Sequence, residues 1–166
     1  MRQKAPFFAA LTVFFVAIAA IAGALAIEAL GYAPCELCLK ERMPYYAAIP
    51  IAALTAVCAA RGKASVARLG LFGLVLIFSA SAVFGAYHAG MEWGFWPGPK
   101  DCSGAFERAA SPETFLQQLQ NVQVVRCDAP ALKILGLSLA AWNAVMSIGL
   151  AGVAVLAFRL GRRPID

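Results

Sequence analysis

The sequence has little charge and a single histidine, His88. Only 14% of its 166 residues are charged, whereas 61% are hydrophobic. Soluble domains have about 25% charged and about 45–50% apolar residues. This composition excludes a water-soluble globular domain and also a disordered tail. At this length it predicts one domain, residues 1–166, whose surroundings are mostly lipid.

The sequence also has only a small excess of positive charge. The net charge is +5, and the basic residues are scattered along the chain. This pattern argues against a nucleic-acid partner. Lysine and arginine beside apolar segments are more informative about orientation in a membrane.

Four apolar runs approach or exceed the length of about 20 residues that a bilayer core requires. They are residues 7–30, 45–60, 69–87 and 134–158. The second run is short and contains Pro50, so it must tilt, kink or begin earlier. The first exceeds the 7–15 apolar residues of a signal peptide, which predicts a retained helix. The predicted fold is therefore an all-α membrane protein, a four-helix transmembrane bundle.

The distribution of charge predicts the orientation of this bundle. Four spans place both termini on one side, which has eight basic residues and one acidic residue, whereas the other side has six and seven. Short cytoplasmic loops are enriched in Lys and Arg, and the short connection holding Arg61, Lys63 and Arg68 is a tight basic cluster. We therefore expect cytoplasmic termini, with a short periplasmic loop at residues 31–44 and a long one at residues 88–133.

The long loop contains one helical signal. Ser111, Pro112 and Glu113 are typical of a helix start. Apolar side chains at Phe115 and Leu119, one turn apart, then predict a short amphipathic helix that lies on the membrane surface.

The five cysteines divide by their predicted side of the membrane. Four of them fall in the periplasmic loops, where the oxidising environment of a bacterial cell allows disulfides to persist. Cys58 lies alone near the cytoplasmic end of the second run, and we expect it to have no redox role. The four on the periplasmic side are Cys35, Cys38, Cys102 and Cys127.

Cys35 and Cys38 form a CxxC motif, which alone is compatible with several sites. Haem attachment requires a histidine next, but residue 39 is Leu. A closed zinc site needs four ligands, and Cys102 and Cys127 lack the second CxxC spacing. A purely structural disulfide between Cys102 and Cys127 would stabilise the loop by about 3–4 kcal/mol. A CxxC bridge restrains little of the unfolded chain, so its usual value is reactivity and not stability. Two cysteine pairs on one side of the membrane then favour a relay by thiol–disulfide exchange.

Arg42 follows Cys38 by one helical turn. A guanidinium at this distance is expected to lower the pKa of Cys38 and to favour its reactive thiolate. It could also donate to an oxygen that gains negative charge. The alternative is an arginine that extends from a helix end toward the interface.

The order of these motifs resembles the DsbB family, disulfide bond formation proteins of bacterial inner membranes. The shared features are a CxxC, an arginine four residues after its second cysteine at the start of span two, and a cysteine pair between spans three and four. The resemblance covers nearly the whole chain. Vitamin K epoxide reductases use similar parts, but their loop pair precedes the CxxC, so the order here favours DsbB.

The resemblance implies a redox cycle. A soluble thioredoxin-like oxidase of the DsbA type would give electrons to a Cys102–Cys127 disulfide, with Cys102 forming the mixed disulfide. Cys127 and Cys35 would connect this pair to the CxxC. Cys38 would then pass the electrons to ubiquinone, or menaquinone, of the membrane pool.

The resemblance also implies a quinone site. It places Arg42 beside the quinone, and it can place His88 there, although His88 could equally be a capping or interfacial histidine. Glu28 is read as an interfacial residue, with proton acceptance during quinol formation as the alternative. Two other functions stay open, namely a specialised paralogue with a dedicated client, and a non-catalytic or metal-binding membrane protein with structural cysteines.

Overall fold

Four long helices form most of the described chain. The computed structural model describes residues 4–98 and 126–161. Each helix is long and apolar enough to cross a membrane, so the predicted all-α, four-span class is confirmed. The helices are α1 (Ala5–Ala29), α2 (Glu36–Ala60), α3 (Ala64–Glu92) and α4 (Leu139–Leu160).

Two helices begin at residues other than the first residue of the corresponding apolar run. Helix α2 begins at Glu36, well before residue 45, because Cys35 caps it by accepting a hydrogen bond from the Cys38 backbone N–H. Helix α4 begins later than residue 134. There, Leu135 and Gly136 adopt positive φ angles of 53° and 83°, which turn the chain between the short antiparallel strands β1 (Lys133–Ile134) and β2 (Leu137–Ser138).

The predicted amphipathic helix at residues 111–120 lies outside the described residues, as does Cys102.

Small side chains form much of the helix interfaces. The main buried cluster includes Ala17, Ala48, Ala52 and Ala154, with Phe78 filling the space between them. Many large apolar side chains, such as Phe15, Leu69 and Val83, are exposed on the outside of the bundle. Small residues allow membrane helices to approach closely, whereas lipid tails solvate large apolar side chains. This distribution is typical of a bundle whose surface faces lipid.

A buried polar layer joins three of the helices. The Tyr45 hydroxyl of α2 donates to Asn143 Oδ1 of α4 at 2.7 Å. Ser147 Oγ of α4 donates to Ser81 Oγ of α3 at 2.9 Å and lies 3.3 Å from the Tyr45 hydroxyl. Interhelical hydrogen bonds in membranes contribute about 0.6 kcal/mol each on average. This layer therefore helps to fix the rotation of α2, α3 and α4 about two turns below Cys38.

Helices α3 and α4 approach closely at Gly85, and this contact predicts a stability effect. A Cβ atom there would lie 3.0 Å from the Ala144 backbone nitrogen and 3.2 Å from the Ala140 carbonyl oxygen. Because backbone atoms cannot move aside as a side chain can, Gly85→Ala should lower the free energy of unfolding by about 1–3 kcal/mol. Thermal unfolding in detergent, followed by circular dichroism, would measure this change.

Gly73, also in α3, offers a matched control. A Cβ at Gly73 would meet nothing within 4 Å, and Ala favours a helix over Gly by up to about 1 kcal/mol. Gly73→Ala should therefore leave stability unchanged or raise it. An equal loss of stability in both variants would contradict the importance of the close helix contact.

Candidate active site

The CxxC motif lies where α2 begins. Cys35 has an extended backbone (φ −76°, ψ 168°) as the N-cap, and its Sγ accepts the Cys38 N–H at 3.1 Å. Cys38 lies in the first turn, and the two Sγ atoms are 2.7 Å apart. Both thiols are free. Since a disulfide bond is about 2.05 Å long, a small movement would join them.

A histidine and a carboxylate stand behind Cys35. His88 of α3 places Nε2 3.7 Å from Cys35 Sγ, and its Nδ1 lies 2.8 Å from Glu41 Oε1 of α2. The exposed fractions of His88 and Glu41 are 1% and 7%. The structure thus brings His88 to the CxxC, in a row of sulfur, imidazole and carboxylate.

These contacts favour the thiolate form of Cys35. A hydrogen bond with the Cys38 thiol, with help from His88 and the Cys38 backbone N–H, lowers the pKa of Cys35 from 9.0 to about 4, although burial opposes this shift. The thiol is therefore ionised above this pH and protonated below it. Because the thiolate is the nucleophile in thiol chemistry, the lowered pKa favours Cys35 as a nucleophile.

Cys127 lies against the same motif. It is disulfide-bonded and buried in a cluster with Cys35, Leu37 and Met91, against which Cys38 also packs. Three of the four cysteines predicted to exchange electrons are thus together, whereas Cys102 lies outside the described residues.

Cys58 is far from this cluster. It lies in the last turn of α2, 20 residues beyond Cys38, or about 30 Å along the helix. It is buried and free.

Arg42 forms an ion pair that the sequence pattern did not predict. Its Nη1 lies 2.8 Å from Glu28 Oε2 of α1, and the side chain of Arg42 is 13% exposed. Within the described ranges, the hydrogen-bond partner of Arg42 is thus Glu28 rather than Cys38. The predicted effect of Arg42 on the Cys38 thiol stays a prediction.

Nearly the whole chain matches one known protein family. The family described as "Disulfide bond formation protein DsbB" matches residues 6–157. The chain belongs to the DsbB family. The resemblance inferred from the CxxC, the following arginine and the cysteine-bearing loop is thereby confirmed.

Two relatives extend this comparison. An uncharacterized protein of Rickettsia prowazekii, RP370, is 30% identical over 122 residues, 70% of this chain and 66% of the relative. The disulfide bond formation protein B of Neisseria meningitidis is 42% identical over 73 residues, 43% of this chain and 42% of the relative. The chain thus spans less than two thirds of the length of either relative. No solved structure matches it.

The CxxC and His88 also form a group of possible metal donors. The nearest ligand atoms of Cys35, Cys38 and His88 all lie within 4.8 Å of one another. A closed zinc site has four protein ligands, and three donors meet here among the residues at 4–98 and 126–161. We therefore assign no metal to this group.

Glu41 is the residue of this DsbB-family site that sequence reasoning missed. The apolar run at residues 45–60 leaves Glu41 in the loop predicted at residues 31–44. The available signal was its spacing, since an acid three residues after Cys38 lies on the same face of a helix. Its burial also requires His88, which is 47 residues away in the sequence.

Proposed function

We propose that this DsbB-family protein is a quinone-dependent thiol–disulfide oxidoreductase. It would reoxidise a periplasmic dithiol oxidase of the DsbA type and pass the electrons to the quinone pool of the bacterial inner membrane. The observation that carries the proposal is the meeting of Cys127, Cys35 and Cys38 in one buried cluster, at one end of helices that can cross a membrane.

In the first half of the cycle, the partner is oxidised. A partner thiolate attacks Cys102 of the Cys102–Cys127 disulfide, and Cys127 leaves as a thiolate. The second partner thiolate then attacks its own mixed disulfide and releases Cys102. Two electrons have moved from the partner, now a disulfide, to the loop pair.

In the second half, the loop pair is restored. The Cys127 thiolate attacks Cys35 of a Cys35–Cys38 disulfide, and Cys38 leaves. Cys102 then attacks Cys127 and releases Cys35, so that the CxxC is reduced. The packing of Cys127 against Cys35 supports this order, and the free thiols of Cys35 and Cys38 correspond to its product.

The residues present fit a quinone, which when bound supplies an acceptor for two electrons and two protons. Arg42 offers hydrogen-bond donors one helical turn after Cys38. His88 lies beside the CxxC, with Nδ1 on Glu41 and Nε2 facing Cys35, and would border the quinone with its ring. Asn143 Nδ2 of α4 is a buried donor without a hydrogen-bond partner in the described residues. It lies against Gly85 of α3, which is one helical turn before His88. We propose that Cys38, Arg42 and His88 hold the quinone, and Asn143 suits a carbonyl oxygen.

The proposed orientation follows the charge pattern. The connection between α2 and α3 carries Arg61 and Lys63, which favours the cytoplasmic side. The CxxC lies at the opposite end of α2. Both termini would then be cytoplasmic, and both cysteine pairs would face the oxidising periplasm.

One experiment tests the proposal as a whole. The purified protein would be mixed, without oxygen, with ubiquinone or menaquinone and with each of several reduced thioredoxin-like proteins. We expect one quinol for each partner disulfide formed. A partner panel in which one dedicated client alone reacts would identify a specialised paralogue. Metal bound in stoichiometric amount, without quinone reduction, would identify a metal-binding protein instead.

Cys58 provides an internal test of the sidedness. Because it is buried about 30 Å from Cys38 along α2, Cys58→Ala should leave turnover within about twofold of the unmodified protein. Steady-state quinone reduction measures this effect. A large loss of turnover, with normal yield and thermal stability, would contradict the placement of all redox chemistry at the other end of the bundle.

A further inference from the structure

We propose that Glu41 is a positioning residue: it accepts a hydrogen bond from His88 Nδ1–H and so holds His88 Nε2 against the Cys35 sulfur, where the imidazole takes up and returns the Cys35 proton. This inference rests on the proposed function, and it adds a residue and a proton path to it.

Glu41 is buried between its own helix and α3. Its side chain is 8% exposed, inside a helix that can span a membrane. An unpaired carboxylate in such a place is costly, so intramembrane acids usually have a partner and a function. Here the partner is His88 Nδ1 at 2.8 Å from Oε1. The pair therefore explains how the carboxylate is tolerated, and the contact with Cys35 indicates its use.

The geometry also selects the protonation pattern of the imidazole. A carboxylate can only accept, so Nδ1 must carry a proton in this pair. Nε2 is then either a bare acceptor or, in the imidazolium, a second N–H group. Nε2 faces Cys35 Sγ at 3.7 Å, so one proton can pass between nitrogen and sulfur while Glu41 keeps the ring in place.

The charged and titratable groups around this row favour a cation at His88. Besides Glu41 and the Cys35–Cys38 pair of α2, Glu92 lies one turn further along α3 and hydrogen-bonds with Ser138 before α4. Glu28 of α1 is paired with Arg42, which neutralises its charge. Cys127 approaches as part of a disulfide and carries no charge. An imidazolium between Glu41 and a Cys35 thiolate would face an anion at each ring nitrogen.

The proton movements balance in each half of the cycle. When Cys102 attacks Cys127, the Cys127–Cys35 bond breaks, and Cys35 leaves with the electron pair as a thiolate beside His88. The imidazolium Nε2–H gives its proton to this thiolate. When the Cys35–Cys38 bond re-forms, two electrons leave to an acceptor of the quinone class. The proton then returns to His88 Nε2 and can follow the electrons to the same acceptor.

The test measures Cys35 alone, without partner or quinone. The reduced full-length protein in detergent would be alkylated with iodoacetamide over a range of pH, and modification of Cys35 would be quantified by mass spectrometry. We expect Glu41→Gln to reduce the Cys35 alkylation rate at least about tenfold near pH 6, because less thiolate is present. The rates should converge in alkaline solution, where the thiol ionises in both proteins. His88→Asn should have the same pH profile as Glu41→Gln.

Glu36→Gln is the matched control. Glu36 is a carboxylate in the same helix, but it is exposed and paired with Lys40, so its loss should leave the alkylation profile within about twofold. Glu41→Asp keeps the charge on a shorter side chain and should recover part of the rate near pH 6. It also keeps the proposal testable if Glu41→Gln does not fold.

An unchanged Cys35 profile in Glu41→Gln, with or without a lower unfolding temperature, would overturn the proposal and leave Glu41 a structural residue. So would a Glu41→Asp profile no different from that of Glu41→Gln. Failure of the proposed function is distinguishable, because alkylation requires no electron acceptor. A shifted Cys35 alkylation profile in a protein that reduces no quinone would support the role of Glu41 and His88. It would contradict the quinone-dependent activity alone.

Discussion

Cys127→Ser is expected to abolish turnover and to trap the partner oxidase on Cys102. Cys127 is the loop sulfur that lies buried against Cys35, so its loss should remove the path from the loop pair to the CxxC. Removal of a covalent nucleophile commonly costs about a thousandfold or more in rate. In this variant Cys102 is a thiol, so the adduct forms with the oxidised partner: Cys102 attacks the partner disulfide, and one partner sulfur leaves as a thiolate. The mixed disulfide should accumulate, because no Cys127 sulfur is present to release it. Non-reducing gels and peptide mapping would identify the cysteine that carries the adduct.

Cys58→Ser is the matched control for this experiment. It exchanges one buried cysteine of the same chain for serine, about 30 Å along α2 from Cys38, and should form no lasting adduct. An adduct of Cys127→Ser that joined the partner to Cys35 would show that the order of the relay is wrong.

Arg42→Ala is expected to slow quinone reduction by roughly ten- to a hundredfold. Loss of a charged hydrogen-bond donor costs about 1.5–3 kcal/mol, which corresponds to this change in rate. Arg42→Lys keeps the charge but loses the planar guanidinium, so an intermediate rate is expected. Stopped-flow measurement of each half-reaction should place the defect in quinone reduction, with partner exchange nearly unchanged.

The ion pair of Arg42 supplies the control for this prediction. Glu28→Gln removes the partner carboxylate but keeps the cation. If Arg42 acts on the quinone, Glu28→Gln should retain most of the quinone reduction. If Arg42 mainly joins α1 to α2, both variants should lose rate and thermal stability together. Equal slowing of partner exchange and quinone reduction in Arg42→Ala would also contradict the proposed quinone role.

The four helices could be predicted from the sequence because they depend on local properties. In lipid each segment must satisfy its own backbone hydrogen bonds, so a sufficiently long apolar run predicts a helix without knowledge of its neighbours. The helix ends depended on side chains outside those runs. Cys35 caps α2, and the positive φ at Leu135 and Gly136 delays α4. Both effects moved the bounds from those of the apolar runs.

The chemistry of the CxxC was likewise local. Its spacing, the arginine one turn later and the order of the cysteines were sufficient to indicate the DsbB family, which the match over residues 6–157 confirmed. The contacts of Cys35 with the Cys38 thiol and N–H also follow from this spacing at a helix start.

The tertiary structure decided which side chains surround that motif. It brought His88 to Cys35 across 53 residues, buried Glu41 behind His88, and paired Arg42 with Glu28. These contacts depend on the rotation and depth of each helix. In a soluble helix, apolar periodicity reports the rotation, but here the core and the surrounding lipid are both apolar. The rotation is set instead by close contacts, such as Gly85 against α4, and by the buried polar layer around Ser147, whose partners become apparent only once the helices are packed.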